Sequence, residues 1–170
     1  RSQLRDYLFA DLCDRETLET LFELAESYYA RDGVVLGDEQ ERQQIEHLDW
    51  ATIKQLRRQN YSNLLNLISS IPILSPIFPI LQPDNMPLGL PVYVSADLRD
   101  PLNEFLGENG IGLTIHWEDL VTDPRLNGNA LAVEMTNNIL TLAIDQYTSP
   151  KQLEYLSQKL AEFSATANHT

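Results

Sequence analysis

His116 is the residue of this 170-residue chain best placed to do chemistry. It lies near the end of a stretch, 111–117, whose alternation of apolar with small or polar residues predicts a strand, so its side chain points opposite to that of Trp117. An imidazole titrates near neutrality and can serve as acid, base or hydrogen-bond donor to an anionic substrate. The competing reading is a strand-end histidine bonded to a backbone group. His47 sits in a polar stretch and His169 is one residue from the C-terminus, and no two histidines are spaced as ligands on one helix face. The run Glu39, Glu41 and Glu46 reads as a solvated helix face rather than a divalent-ion site. Cys13 is the only cysteine, and Asp11, Asp14 and Glu16 around it disfavour a thiolate. No nucleophile elbow and no glycine-rich phosphate loop occurs. Arg57-Arg58 could grip a carboxylate or phosphate bidentately, but in so acidic a chain the pair is expected to bind acidic side chains.

Three zones must position these groups. The first, 1–71, reads as helical. Asp14 can cap a helix with apolar residues at Leu18, Leu21, Phe22, Ala25, Tyr28 and Tyr29, and Asp32-Gly33 supplies its stop. Residues 38–47 are polar enough for a short helix or a loop. Asp49 is an N-cap candidate for a second helix carrying Ile53, Leu56, Asn60, Leu64 and Ile68 on one face, with Lys54, Arg57 and Arg58 on its flank. The second zone, 71–91, holds six of the nine prolines and reads as an extended strap packed on the body through Ile73, Leu74, Ile77, Phe78, Ile80 and Leu81.

The third zone alternates strand and helix. Residues 92–94 form a strand, and Asp100-Pro101 opens a helix with proline at its first position. Residues 111–117 and 139–144 are further strands, and 130–138 is a helix. Ser149-Pro150 starts the last helix, with Leu153, Leu156, Leu160 and Phe163 facing inward. The alternation is compatible with a parallel sheet and equally with α+β. The fold class expected is α+β: N-terminal helices followed by a small three- to four-stranded sheet covered by helices. The division expected is a helical segment over 1–48 and a compact unit over 49–170.

Composition narrows the partners. A net charge of −13, offset by no Lys/Arg cluster, repels phosphate backbones and anionic membrane surfaces, so neither nucleic acid nor membrane is expected. The longest apolar stretch, 71–81, is broken by three prolines and cannot span a bilayer as a helix. With a single cysteine there is no internal disulfide framework, which fits a cytoplasmic protein. The chain begins at Arg1, and the expectation is a trimmed chain or a piece of a longer polypeptide.

Four segments then occur in a telling order: Arg57-Arg58 with Asn60-Tyr61, Pro87 to Val92, Gly110-Ile111 with His116-Trp117, and Leu140 to Tyr147. This succession resembles the C-terminal small domain of the sugar aminotransferase family of DegT type, pyridoxal-phosphate (PLP) enzymes of fold type I. The resemblance runs from about Ile53 to Phe163. Two departures stand out: Ala143 replaces the usual proline, and Tyr147 follows Gln146 where an arginine is expected. The family's catalytic lysine, phosphate cradle and pyridine partner lie in an upstream large domain, and those motifs have no counterpart here. Lys54, Lys151 and Lys159 fall on predicted helices, away from the family's Schiff-base position. The resemblance therefore implies a domain with no cofactor of its own, PLP being held by a full-length parent. It also implies His116 and Trp117 as substrate-side residues, no catalytic and no metal residue, and a missing large domain or second subunit as partner, with a homodimer open.

Two readings remain beside each other. In one, the chain is the C-terminal domain of an aminotransferase acting on a nucleotide-linked keto-sugar or similar carbonyl compound, inactive alone. In the other, it is a non-catalytic protein-interaction module of aminotransferase-like ancestry. A third, an independent enzyme using His116 with Glu118 or Asp119, has less behind it.

Overall fold

A computed structural model describes residues 15–32, 38–116, 122–126 and 128–167. It divides into two units, 1–48 and 49–170. In the first unit, α1 (Arg15–Asp32) and α2 (Glu39–Glu46) are both helices, so the polar stretch is a helix rather than a loop. Asp38 caps α2, its side chain accepting from the Gln40 N–H at 2.8 Å. Asp14 and Gly33, expected at the ends of α1, lie outside the described residues.

The second unit is α+β. Its elements run α3 (Trp50–Leu67), β1 (Ser75–Pro76), β2 (Gly89–Tyr93), α4 (Ala96–Glu108), a 3₁₀ turn (Pro124–Leu126), α5 (Ala130–Asn138), β3 (Ile139–Ala143) and α6 (Pro150–Ala167). The strands form one antiparallel sheet in the order β1-β2-β3, with Ser75 opposite Tyr93 and Leu90 opposite Leu142. Pro91 and Thr141 face each other as a non-hydrogen-bonded pair, so the missing N–H of Pro91 costs no bond to β3, and the Thr141 N–H and C=O point outward, away from β2.

Alternation along the strands puts Leu90, Val92, Leu140 and Leu142 on the face that α3, α4 and α6 cover, each with 0% exposure. Tyr61, Leu64 and Ile68 of α3, Leu102 and Leu106 of α4, and Leu153, Leu156 and Leu160 of α6 complete one core. Burying each such leucine stabilises the fold by roughly 1.5–3 kcal/mol relative to exposure. Asp49 caps α3 through the Thr52 N–H at 3.0 Å and hydroxyl at 2.6 Å, which holds its carboxyl below the usual carboxylate range. Ser149 and Gln152 close a capping box at α6, with Ser149 N–H donating to the Gln152 Oε1 at 2.8 Å and Pro150 at the first helical position.

Four expectations are corrected. Leu56 is 38% exposed, and the buried face of α3 runs through Asn60, Tyr61, Leu64 and Ile68 instead. The helix expected from Pro101 starts at Ala96, with Ser95 at the N-cap, so Pro101 lies inside it. The hydrogen bond Pro101 forgoes is to the Asp97 carbonyl, on an exposed first turn that water can reach. Of the strand expected over 111–117, the described part, 111–116, is not a strand and makes one bridge, Thr114 to Thr141. The third strand comes instead from the strap, where Ser75 and Pro76 pair with β2. The strap itself is only partly packed, since Leu74 is buried whereas Phe78 is 57% and Ile80 77% exposed.

Candidate functional site

The route to His116 begins at the end of α4. Gly110 adopts φ +73°, and the Ile111 N–H reaches back to the Leu106 carbonyl at 2.8 Å while the Gly110 N–H bonds Gly107 O at 3.0 Å. This pair of bonds is a Schellman stop, which a left-handed glycine makes cheaply. The chain then runs beside β3, where Thr114 and Thr141 exchange hydrogen bonds at 3.3 and 3.0 Å. His116 follows two residues later, half-buried, beyond the outer edge of the sheet. Trp117, Glu118 and Asp119 lie outside the described residues, as do Cys13 and His169. His47 ends α2, with Nδ1 2.6 Å from the Gln43 carbonyl oxygen. Glu39 and Glu46 both pair with Arg42, which holds the Glu39 carboxyl below the usual range, so these two acids belong to an ion-paired helix face. Among the described residues no group of His, Cys, Asp or Glu could hold a metal ion.

Among the described residues, Arg57 and Arg58 bond to carbonyl and amide oxygens rather than to acidic side chains. Arg57 donates to Gln146 Oε1 at 2.8 Å and to the Pro87 carbonyl at 3.2 Å. Arg58 donates to the carbonyls of Gln82 and Asn85 at 2.6 and 2.8 Å. One turn on, Asn60 Nδ2 donates to the carbonyls of Asp145 and Thr148 at 2.8 and 2.9 Å, and the Tyr61 hydroxyl donates to Phe78 O at 2.6 Å. Four side chains within five residues thus tie the strap and the 145–148 turn to α3. That turn is held from within, because Asp145 Oδ1 accepts from the N–H groups of Tyr147 and Thr148, both at 2.7 Å. The guanidinium fork supplies several donors in fixed directions, which suits it to loop carbonyls that have no secondary-structure partner.

An open cleft of about 430 Å³ lies elsewhere, where Ile73 and Leu74 of the strap meet Tyr93, Ser95 and the α5 residues Glu134 and Asn138. It borders β1 and the end of β2, and His116 is not among the residues that line it. Sequence reasoning missed Arg99, a buried cation that donates to the Thr136 carbonyl at 2.6 Å and to Asp100 at 2.7 Å, joining α4 to the end of α5.

The three lysines of the chain all lie on helices. Lys54 lies on α3, 3.7 Å from the exposed Asp84 carboxylate. Lys151 is exposed on α6, and Lys159 bonds Glu162 at 2.8 Å. None of them lines the cleft.

No protein-family model and no curated protein sequence matches the chain. Solved structures do. The aminotransferase TlmJ from Streptoalloteichus hindustanus superimposes with a TM-score of 0.60 at 18% identity, over 69% of this chain and 33% of its own. PseC from Helicobacter pylori, an aminotransferase of pseudoaminic acid biosynthesis, gives 0.60 at 12% identity over 68% and 34%. Spr1654 from Streptococcus pneumoniae, in its PLP form, gives 0.56 at 13% identity over 69% and 32%. The chain spans about a third of the length of these proteins, and at such identities what they share with it is the fold: an α+β unit found within sugar aminotransferases.

Proposed function

We propose that residues 49–170 correspond to the C-terminal small domain of a PLP-dependent sugar aminotransferase of DegT type. The unit forms the substrate side of an active site whose lysine and PLP belong to a large domain or a second subunit. In that setting His116 and Trp117 face the substrate, and the chain alone is inactive. The cytoplasm is the compartment that fits a chain with one cysteine. The observation that carries this reading is one of proportion: about two-thirds of this chain superimposes on one-third of each aminotransferase. Two further features support it. The three lysines lie on α3 and α6, and the strap presents Phe78, Ile80 and Leu88 to solvent at 57, 77 and 80% exposure, an apolar surface of the kind a missing domain would cover.

The test is the size of the native protein in its source cells, read by immunoblot against this chain. A species well above 19.4 kDa is expected, with the PLP absorbance band on the purified longer form. In that form His116→Ala should lower turnover of a sugar substrate while leaving thermal stability unchanged. A native species of 19.4 kDa with no lysine-bearing subunit bound to it overturns the reading. It leaves the alternative, a non-catalytic interaction module.

A further inference from the structure

Asn109-Gly110, at the stop of α4, is one of two Asn-Gly pairs in the chain, the other being Asn127-Gly128. Such a pair carries its own reagents. The glycine nitrogen, once it loses its proton, can attack Cγ of the asparagine. The new N–C bond closes a five-membered succinimide, and the side-chain nitrogen leaves as ammonia. Water then opens the ring at either carbonyl, giving aspartate or isoaspartate. Glycine exposes its nitrogen because it has no Cβ. A Cβ built at Gly110 would meet nothing within 4 Å, so the space beside it is open as well.

The folded turn keeps the two reacting groups apart. The Gly110 N–H donates to the Gly107 carbonyl at 3.0 Å, which holds the proton on the attacking nitrogen. Asn109 Nδ2 donates to the Phe105 carbonyl at 2.8 Å, four residues back, and this draws the side-chain amide along α4. The Asn109 carbonyl accepts from the Tyr155 hydroxyl at 3.1 Å, tying the same residue to α6. Gly110 is exposed and Asn109 half-buried, so these bonds belong to a helix end of the kind that opens without global unfolding.

We propose that Asn109 is a latent modification site, closed to deamidation by the helix stop, opened by local fraying of that stop, and able to make the opening permanent. Either product loses the Nδ2 donor to the Phe105 carbonyl. Each adds a carboxylate beside Glu108 at the C-terminal end of α4, where the helix dipole disfavours negative charge. Isoaspartate also lengthens the main chain by one carbon. From this stop the chain runs to the Thr114–Thr141 bridge and on to His116, so modification loosens the segment that carries His116. The inference does not depend on the aminotransferase reading.

The 170-residue chain is incubated at pH 8 in buffer and in guanidinium chloride, and conversion is read by mass spectrometry of tryptic peptides. Asn109 and Asn127 fall in separate peptides, 100–125 and 126–151. Asn109 should convert at least about tenfold more slowly in buffer than in denaturant. Tyr155→Phe removes one bond from the stop and should speed conversion in buffer about three- to tenfold, the worth of one hydrogen bond. Ser157→Ala removes a different bond of the same helix, to the Leu67 carbonyl, and should leave the rate within about twofold of the parent. Equal rates in buffer and denaturant would mean that the turn gives no protection. Equal acceleration by both variants would mean that global unfolding governs the reaction, and no acceleration by Tyr155→Phe that opening bypasses this stop; each overturns the proposal. In Asn109→Asp, which stands for one product, the Thr114 and Thr141 amides should exchange with solvent faster than in the parent. Unchanged exchange would overturn the stated consequence for the 111–116 segment.

Discussion

The hydroxyl of Tyr61 donates to the carbonyl oxygen of Phe78 at 2.6 Å, and this bond pins the proline-rich strap to the central helix. The ring is 2% exposed, so the hydroxyl delivers its proton to a chain segment that has few other partners. Burial also pushes the phenol above its ordinary value of 10.0.

Tyr61→Phe should therefore lower stability by about 1 kcal/mol, the usual net worth of one such bond, in urea unfolding at pH 7. The sign at high pH follows from the raised phenol. The unfolded chain ionises near pH 10.0 while the folded chain still holds the proton, so stability falls as pH rises through and above that value. Tyr61→Phe removes this component of the alkaline limb. An unchanged slope between pH 9 and 11 would argue that Tyr61 titrates as freely folded as unfolded.

Asn60→Ala should cost about 1–3 kcal/mol by stripping the Asp145 and Thr148 carbonyls of their shared donor. Asn60→Asp is the sharper experiment. A carboxylate in the same place faces two carbonyl oxygens, so it should destabilise more than alanine does at pH 7. Its proton is then favoured in the folded state, and stability should recover as pH falls and the acid becomes a donor. Guanidinium unfolding at pH 4 and pH 7 distinguishes the two substitutions.

Gly89 sits opposite Ala143 in the sheet, and a Cβ built there would lie 2.3 Å from Thr141 Cγ2 and 3.0 Å from the Leu142 carbonyl oxygen. Thr141 is β-branched and the second neighbour is backbone, so neither can yield cheaply. Gly89→Ala should cost about 1–3 kcal/mol. Adding Thr141→Ser, which can turn its single γ atom away, should return part of the loss. A double variant no more stable than the single would place the strain on the backbone contact alone.

Two substitutions on α6 should move stability in opposite directions. Leu160 has 0% exposure between helices and sheet, and Leu160→Ala should cost about 2–5 kcal/mol. Ser164, one turn later, buries a hydroxyl that has no hydrogen-bond partner among the described residues. Ser164→Ala removes that unsatisfied group and favours the helix, so thermal unfolding should shift upward by a few degrees, on the order of 1 kcal/mol. A lower melting temperature would mean that the hydroxyl is bonded after all.

Much of the second unit was legible in the residue order because its signals are local. Asp49 before Thr52, Ser149-Pro150 before Gln152, and the apolar alternation of 139–144 each report on neighbours within four positions, and helix, capping box and strand appear where they point. Residues 111–116 carried a similar alternation without forming a strand. Thr141 has outward N–H and C=O groups, Thr114 uses both, and among the described residues no further bridge forms along that edge.

What the order of residues could not decide is which distant group each polar side chain would meet. Arg57 and Arg58 read as anion binders or salt-bridge formers because a guanidinium suits both. Their partners are backbone carbonyls 24 to 30 residues away and the Gln146 side chain 89 residues away. Loop carbonyls have no side-chain identity and leave no mark in the sequence, so only the packing of strap, turn and helix could assign them. The antiparallel sense of the sheet is of the same kind. Period two marks a strand, but β1 is two residues of a proline-rich strap, and its pairing is set by where the strap crosses β2. Sequence determined the helices and two of the three strands through local periodicity and capping signals. Tertiary structure alone decided the sheet order and the carbonyl partners of the basic pair, because each depends on contacts between residues far apart in the chain.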